Sequence, residues 1–284
     1  MENLDKLVYW IKERENVRLL KEKGVGKPWS TDPVFHETYF CNVHREDDKV
    51  TKWIREHWSP SPDHFGGAYE LAMCAARLIN KPTTLDLIGY PNDTEHGQDL
   101  WIGNAIDIMR SLAEQGVTIW GNAYVVTTHG RKMDKLTYLE EVLRAIAESD
   151  LHHFMYKPRE DPLTLALAHY KIQQYEGFGS FMAAQVVADL KNTKFHPLSQ
   201  ARDWWWWSAP GPGSLRGLAW VYGKPKVSER DYPPMMDALL EEVLPRIDPI
   251  EVCAQDLQNC LCEFDKYMRV KYNTGRSKRK YNGI

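Results

Sequence analysis

Two stretches of this chain carry side chains whose types and spacing suit acid–base or anion chemistry. The first is Asn42-Val-His-Arg-Glu-Asp-Asp-Lys-Val-Thr51, dense in alternating charge and flanked by Tyr39, Phe40 and Trp53. It reads either as an exposed helix start or as a partly buried site framed by aromatic rings. The second lies near the C-terminus. At 100° per residue, Leu257, Cys260, Leu261, Phe264 and Met268 share one apolar arc, while Asp256, Asn259, Glu263 and Lys266 share another of roughly 80°. That stripe is either a solvated face laced with pairs such as Glu263–Lys266 or an acid–amide–base line along a cleft. Both readings stay open on spacing alone.

Anion-binding turns form a second group. Leu163 to Tyr175 reads as a helix, Gly177-Phe-Gly179 as a tight turn, and Ser180 as the cap of a helix to about Leu190, with Phe181, Ala184 and Ala188 on one side. Helix, G-x-G hairpin, helix is the helix-hairpin-helix signature, in which backbone N–H groups at the second helix's start point at a DNA phosphate. Gly211-Pro-Gly213-Ser-Leu-Arg216-Gly217 is a second Gly-rich turn before a helix. Together they point to nucleic-acid or polyphosphate binding. Gly24-Val-Gly-Lys27 resembles half a phosphate loop, but Lys21 stands where Walker A needs its first Gly, and Pro28 follows the lysine. Cys253-x6-Cys260-x-Cys262 is similar to a glycosylase iron–sulfur loop, yet it lacks a fourth Cys and falls inside an expected helix. These cysteines read as buried thiols, and no structural metal is expected.

These residues need helices to hold them. Helical apolar spacing runs through Leu4, Leu7, Val8 and Ile11; through Ala68, Leu71, Ala72, Ala75, Leu78 and Ile79; through Ile102, Ala105, Ile106, Met109, Leu112 and Ala113; and through Leu136, Leu139, Leu143, Ile146 and Ala147. Strand-like sequence is confined to Val117–Trp120 and Tyr124–Thr128, which read either as extended or as buried connectors. The chain is mainly α. Asp248, Pro249 and Glu251 predict a capping box with proline at N1 for the last helix. Four consecutive tryptophans, Trp204 to Trp207, would point all ways around a helix, so some rings are buried and others line a surface.

Composition sets the limits. The 284 residues are 43% hydrophobic and 26% charged, an ordinary globular balance. No apolar run approaches membrane-spanning length, and Met1–Glu15 has no signal-peptide character. Five cysteines without a secretory signal read as reduced thiols, which places the chain in the cytoplasm. The net charge of −3 argues against a DNA-coating protein, but Lys266–Ile284 holds Lys266, Arg269, Lys271, Arg276, Lys278, Arg279 and Lys280 with no acid.

Tyr9–Glu15, Pro28–Pro33, Phe40–Asp48, Gly177–Leu190, Ala209–Gly217 and Asp256–Tyr267 together resemble, in matching order, the 5-hydroxymethyluracil DNA kinase helical-domain group. That group includes the phage amino acid:DNA transferases, or α-glutamyl/putrescinyl-thymine pyrophosphorylases. The resemblance implies a single helical-domain chain, 1–284, of the helix-hairpin-helix DNA-glycosylase type. Its hairpin element would lie at about 162–191 and its basic tail at about 266–284. It further implies a transferase that replaces the phosphate or pyrophosphate on phosphorylated 5-hydroxymethyluracil in DNA with an amine, such as an amino acid or polyamine. A separate P-loop kinase would supply the phosphorylated base. In the host cytoplasm, if phage-encoded, its partners would be modified DNA, an amine donor and that kinase, with no membrane.

On that reading Arg45, Lys266 and Arg269 receive the leaving group, and Glu46, Asp189 and Glu263 are candidate bases. Asn42 and Asn259 read the uracil edge, and the tryptophan run, Trp205 included, stacks an extruded base. Gly177, Gly179, Ser180, Gly211, Gly213, Arg216, Arg276, Lys278, Arg279 and Lys280 face DNA. No cofactor is expected beyond Mg²⁺ at the leaving phosphate. The chain departs from glycosylases at Ser199, where they carry a catalytic Asp (here Asp189 lies earlier and Asp203 later), and at Phe181, where some carry Lys. A glycosylase-like enzyme releasing a modified base and a non-catalytic DNA-binding partner of the kinase remain the alternatives.

Overall fold

The computed structural model describes residues 1–58, 68–91, 95–122 and 126–275. Among these are thirteen α-helices: α1 (Leu4–Glu22), α2 (Pro33–Glu37), α3 (Lys49–His57), α4 (Tyr69–Ile79), α5 (Pro82–Ile88), α6 (Glu95–Glu114), α7 (Lys135–Ala147), α8 (Leu151–Tyr156), α9 (Leu165–Ile172), α10 (Ser180–Lys191), α11 (Pro212–Tyr222), α12 (Tyr232–Ile247) and α13 (Ala254–Lys271). Two short 3₁₀ turns span Arg45–Asp47 and Pro197–Gln200. No β-strand occurs among the described residues, so of the two readings of Val117–Trp120, extended segment or connector, the structure has the connector. The mainly α expectation holds.

The chain folds into two compact units. The first joins Met1–Asp48 to Trp205–Ile284; the second is Lys49–Trp204. In the first unit α13 lies centrally. Its predicted apolar arc, Leu257, Cys260, Leu261, Phe264 and Met268, is fully buried against α1, α11 and α12. Glycines set the α11–α13 distance. A Cβ on Gly217 would sit 2.1 Å from the Leu261 carbonyl oxygen, and one on Gly213 2.1 Å from Cys262 Sγ. Gly213 and Gly217 therefore serve close helix packing. Gly211 caps α11 and donates its N–H to Ser214 Oγ.

The last helix begins later than predicted. Asp248 ends α12, and Cys253 caps α13, with Asp256 Oδ2 accepting the Cys253 N–H at 3.3 Å. The capping box exists but is shifted by five residues, because Asp256 also serves a tertiary contact described below.

In the second unit α4 is buried along its whole length, with α10 and α7 against it. The α9 helix starts at Leu165 because two groups cap it. Thr164 accepts the Leu167 N–H, and the Asp203 carboxylate accepts the N–H groups of Leu165 and Ala166 at 2.8 and 3.1 Å. Gly177 takes φ +86°, a left-handed turn that disfavours any side chain. Gly179, not Ser180, is the N-cap of α10; Ser180 is its first helical residue. The tryptophans form turns instead of a helix: Trp204 is held by Lys191, Trp205 packs on the first unit's core, and Trp206 is exposed.

Candidate functional site

In the first unit the charged stretch and the polar stripe meet. The segment Tyr39–Arg45 runs beside α13, and the stripe side chains satisfy its backbone one after another. Lys266 Nζ donates to Tyr39 O at 3.1 Å, Glu263 Oε2 accepts the Cys41 N–H at 2.9 Å, Asn259 Nδ2 donates to Asn42 O at 2.9 Å, and Asp256 Oδ1 accepts the Arg45 N–H at 3.0 Å. From the other side, the buried Arg14 of α1 donates to Cys41 O at 2.9 Å and to Asn42 Oδ1. A non-regular segment packed on a helix cannot leave its amides unpaired, and these side chains replace a sheet ladder.

This pairing redirects several predicted roles. Glu263 is buried, and one of its oxygens takes both the Cys41 amide and the Lys266 ammonium, the latter at 2.6 Å. The amide nitrogens of Asn42 and Asn259 are spent on Asp47 O and Asn42 O. Burial works to raise the Asp256 pKa, but the His44 imidazole, 3.8 Å away, and the Arg45 amide outweigh it and hold the carboxyl below its ordinary value. The same carboxylate raises His44. At the rim, Arg45 Nη1 reaches Glu46 Oε1 at 3.2 Å, and Glu46 remains partly exposed.

Arg216 of α11 and Arg269 of α13 converge on buried Asp265 of α13, whose Oδ2 takes both Nε atoms at 2.9 and 3.2 Å. The Arg216 side chain is 56% exposed despite that anchor. One acid thus fixes two outward arginines, a geometry suited to oxyanions.

In the second unit Asp189 turns inward. Both of its oxygens bind Arg77 at 2.5 Å, and both side chains are buried. The base role expected of Asp189 therefore meets a carboxylate already matched by a guanidinium. The hairpin leaves Gly179 exposed, while Gly177 packs toward Val142 and Tyr138. Nearby on α4, Glu70 is 1% exposed and bridges two histidines, accepting from His152 Nδ1 at 2.9 Å and His196 Nε2 at 3.2 Å.

Residues 1–277 match the family described as 5-hmdU DNA kinase, helical domain. The chain belongs to that family. A 5-hmdU DNA kinase of Bacillus phage SP10 is 25% identical over 225 residues, covering 74% of this chain and 34% of that protein. The chain thus spans about a third of that relative's length. No solved structure matches it.

Within this member of the 5-hmdU DNA kinase helical-domain family, Asn42, Arg45, Glu46, Asn259, Glu263 and Lys266 are brought together, and Arg216 with Arg269 form a second group. Trp205 gives its carbonyl to the Ala254 N–H at 2.9 Å and is partly buried. Arg276, Lys278, Arg279 and Lys280 lie outside the described residues. Among the described residues no group of three or more His, Cys, Asp or Glu is placed to hold a metal ion, and no helix is long and apolar enough to cross a membrane. The sequence reading passed over Glu70, Arg14 and Asp265. A signal existed for Glu70: an acid inside Tyr69–Ile79, a helix whose one other charge is Arg77, demands a buried partner.

Proposed function

We propose that this chain is a DNA-modifying transferase that replaces the phosphate or pyrophosphate on the 5-methylene group of phosphorylated 5-hydroxymethyluracil with an amine. The observation that carries this reading is the family match over residues 1–277, which spans both compact units. A phosphorylated methylene on uracil is an electrophile with an anionic leaving group, so the reaction needs cations, a proton acceptor and access to an extruded base. Arg216 and Arg269, fixed on Asp265, are our candidates for phosphate contacts. The exposed Gly179 turn before α10 is our candidate for backbone contact with DNA. Mg²⁺ would share the leaving-phosphate charge, and the donor would be an amino acid or a polyamine.

The chain spans only about a third of its phage relative, which favours a second reading: a DNA-handling module that works with a kinase and performs no chemistry itself. One experiment separates the readings. The protein is incubated with DNA carrying phosphorylated 5-hydroxymethyluracil and a panel of amines, the DNA is digested, and the nucleosides are weighed by mass spectrometry. A new aminomethyl nucleoside supports the transferase. Abasic sites would indicate a base-releasing enzyme, and DNA binding with an unchanged nucleoside profile would leave the module reading.

A further inference from the structure

The paired helices α11 and α13 of the first unit carry an outer group of side chains that combines surplus positive charge with aromatic rings. Arg216 and Trp220 stand four residues apart on α11 and so share a face. Asp265 and Arg269 share a face of α13 in the same way, and Tyr272 follows at its end. All five belong to one compact unit, as does Lys6 of α1.

Asp265 is 1% exposed and organises the group from inside. Its Oδ2 accepts the Nε–H of Arg216 at 2.9 Å and of Arg269 at 3.2 Å, and its Oδ1 accepts the Trp220 Nε1–H at 3.3 Å. One carboxylate cannot neutralise two guanidiniums, so positive charge is left over at the surface. The mode of binding matters as well. The buried pair Arg77–Asp189 sets Nε and Nη2 against both carboxylate oxygens. Arg216 and Arg269 each give Asp265 only Nε, and their Nη groups have no partner among the described residues. A guanidinium held by its inner edge presents its outer donors in a fixed plane, the geometry that grips a phosphate.

Rings adjoin those donors. Trp220 and Tyr272 lie 23° from parallel with centroids 6.4 Å apart; Trp220 is half-buried and Tyr272 is 47% exposed. Lys6 Nζ, 5.3 Å from the Tyr272 centroid and bonded to Asn3 Oδ1 at 2.7 Å, adds a third cation beside them. Cations alone would suit any anion, and rings alone any apolar partner. Together they suit a chain that alternates phosphates with flat bases. In a duplex the bases stack on one another and offer only their edges, so surface rings take a base that has left its stack.

We propose that this face binds DNA at an unpaired stretch, with phosphates on Arg216 and Arg269 and a base stacked on the Trp220–Tyr272 pair. The inference deepens the DNA-modifying reading above and rests on its DNA contact, not on amine transfer.

Fluorescence anisotropy of labelled oligo(dT), and of a duplex of the same length, across a salt series tests this on the full chain. Thermal unfolding and amine transfer are measured on the same preparations. Tyr272→Ala should weaken oligo(dT) binding about 5-fold or more, the loss of one stacked base, while duplex affinity and the salt slope stay unchanged. Tyr272→Phe should bind as wild type does, and Tyr272→Leu, apolar without a π face, should not. Arg216→Gln should reduce the slope on oligo(dT) by about 0.7, one single-strand phosphate contact. A folded Tyr272→Ala protein with wild-type oligo(dT) affinity overturns the inference. Equal loss on the duplex overturns it too, since the ring would then touch the backbone and not a base. Both results leave the transferase standing where amine transfer persists. Protein that transfers no amine, yet loses oligo(dT) binding in Tyr272→Ala, overturns the transferase and upholds this surface.

Discussion

Glu263 shows how a residue that looks catalytic in sequence becomes structural in space. Its Oε2 holds the Cys41 amide and the Lys266 ammonium, so truncation strands a buried donor. Glu263→Ala should destabilise the protein by about 1–3 kcal/mol in urea titration, and Glu263→Gln, which keeps an acceptor oxygen, should cost less. A change within about 0.5 kcal/mol for Glu263→Ala would return the residue to a solvated face. The neighbouring His44–Asp256 pair predicts a pH window. Asp256 is held below its ordinary 3.8, so its contribution is present above that value and lost as pH falls through its folded pKa. His44 is raised above 6.5, so its contribution is full below that value and lost as pH rises through its folded pKa. Between those values the pair contributes fully. Stability should fall between about pH 5.5 and about pH 8.5 in wild type and change less in His44→Gln, compared by denaturant midpoints at both pH values.

Between helices, the glycines of α11 are fixed by contact. Gly217 touches the backbone of α13, where a Cβ would meet Leu261 O at 2.1 Å, Leu261 C at 2.7 Å and Leu261 Cα at 3.0 Å. Backbone cannot rotate away, so Gly217→Ala should cost about 1–3 kcal/mol or more by overpacking. Thermal unfolding reads this directly. Gly213 meets a side-chain sulfur instead, and its Ala variant should be milder. Glycine before a helix signals a tight approach, but spacing does not say whether a phosphate or a neighbouring helix makes that approach.

For the molecule as a whole, phosphate contact is testable without knowing the reaction. Each cation engaged with duplex DNA should contribute a slope of about −0.9 in log K against log salt. Arg216→Gln and Arg269→Gln should each reduce that slope by about one such unit, and neutralising Arg276, Lys278, Arg279 and Lys280 together should flatten it further. Fluorescence anisotropy across a salt series reads all three, and an unchanged slope means those residues are solvated. Leu4–Glu22, Tyr69–Ile79, Glu95–Glu114 and Lys135–Ala147 were legible because burying one helix face imposes a 3.6-residue period that any partner would enforce. The α12 helix, Tyr232–Ile247, and the true start of α13 were not. A cap is chosen by the bonds available in space, and Asp256 bonds both Cys253 and Arg45.

By itself the sequence determined the helical class, the buried arc of α13, the left-handed hairpin turn at Gly177, and the family resemblance, since each is written in local spacing or residue order. Only the tertiary structure decided which polar groups answer one another. Nothing in the spacing of Asn259, Glu263 and Lys266 shows that the backbone of Tyr39–Arg45, more than 200 residues away, consumes them. Nothing local joins Asp189 to Arg77, or Glu70 to His152 and His196. Hydrogen bonds and ion pairs depend on distance in space, and chain separation carries no trace of it until the helices have packed.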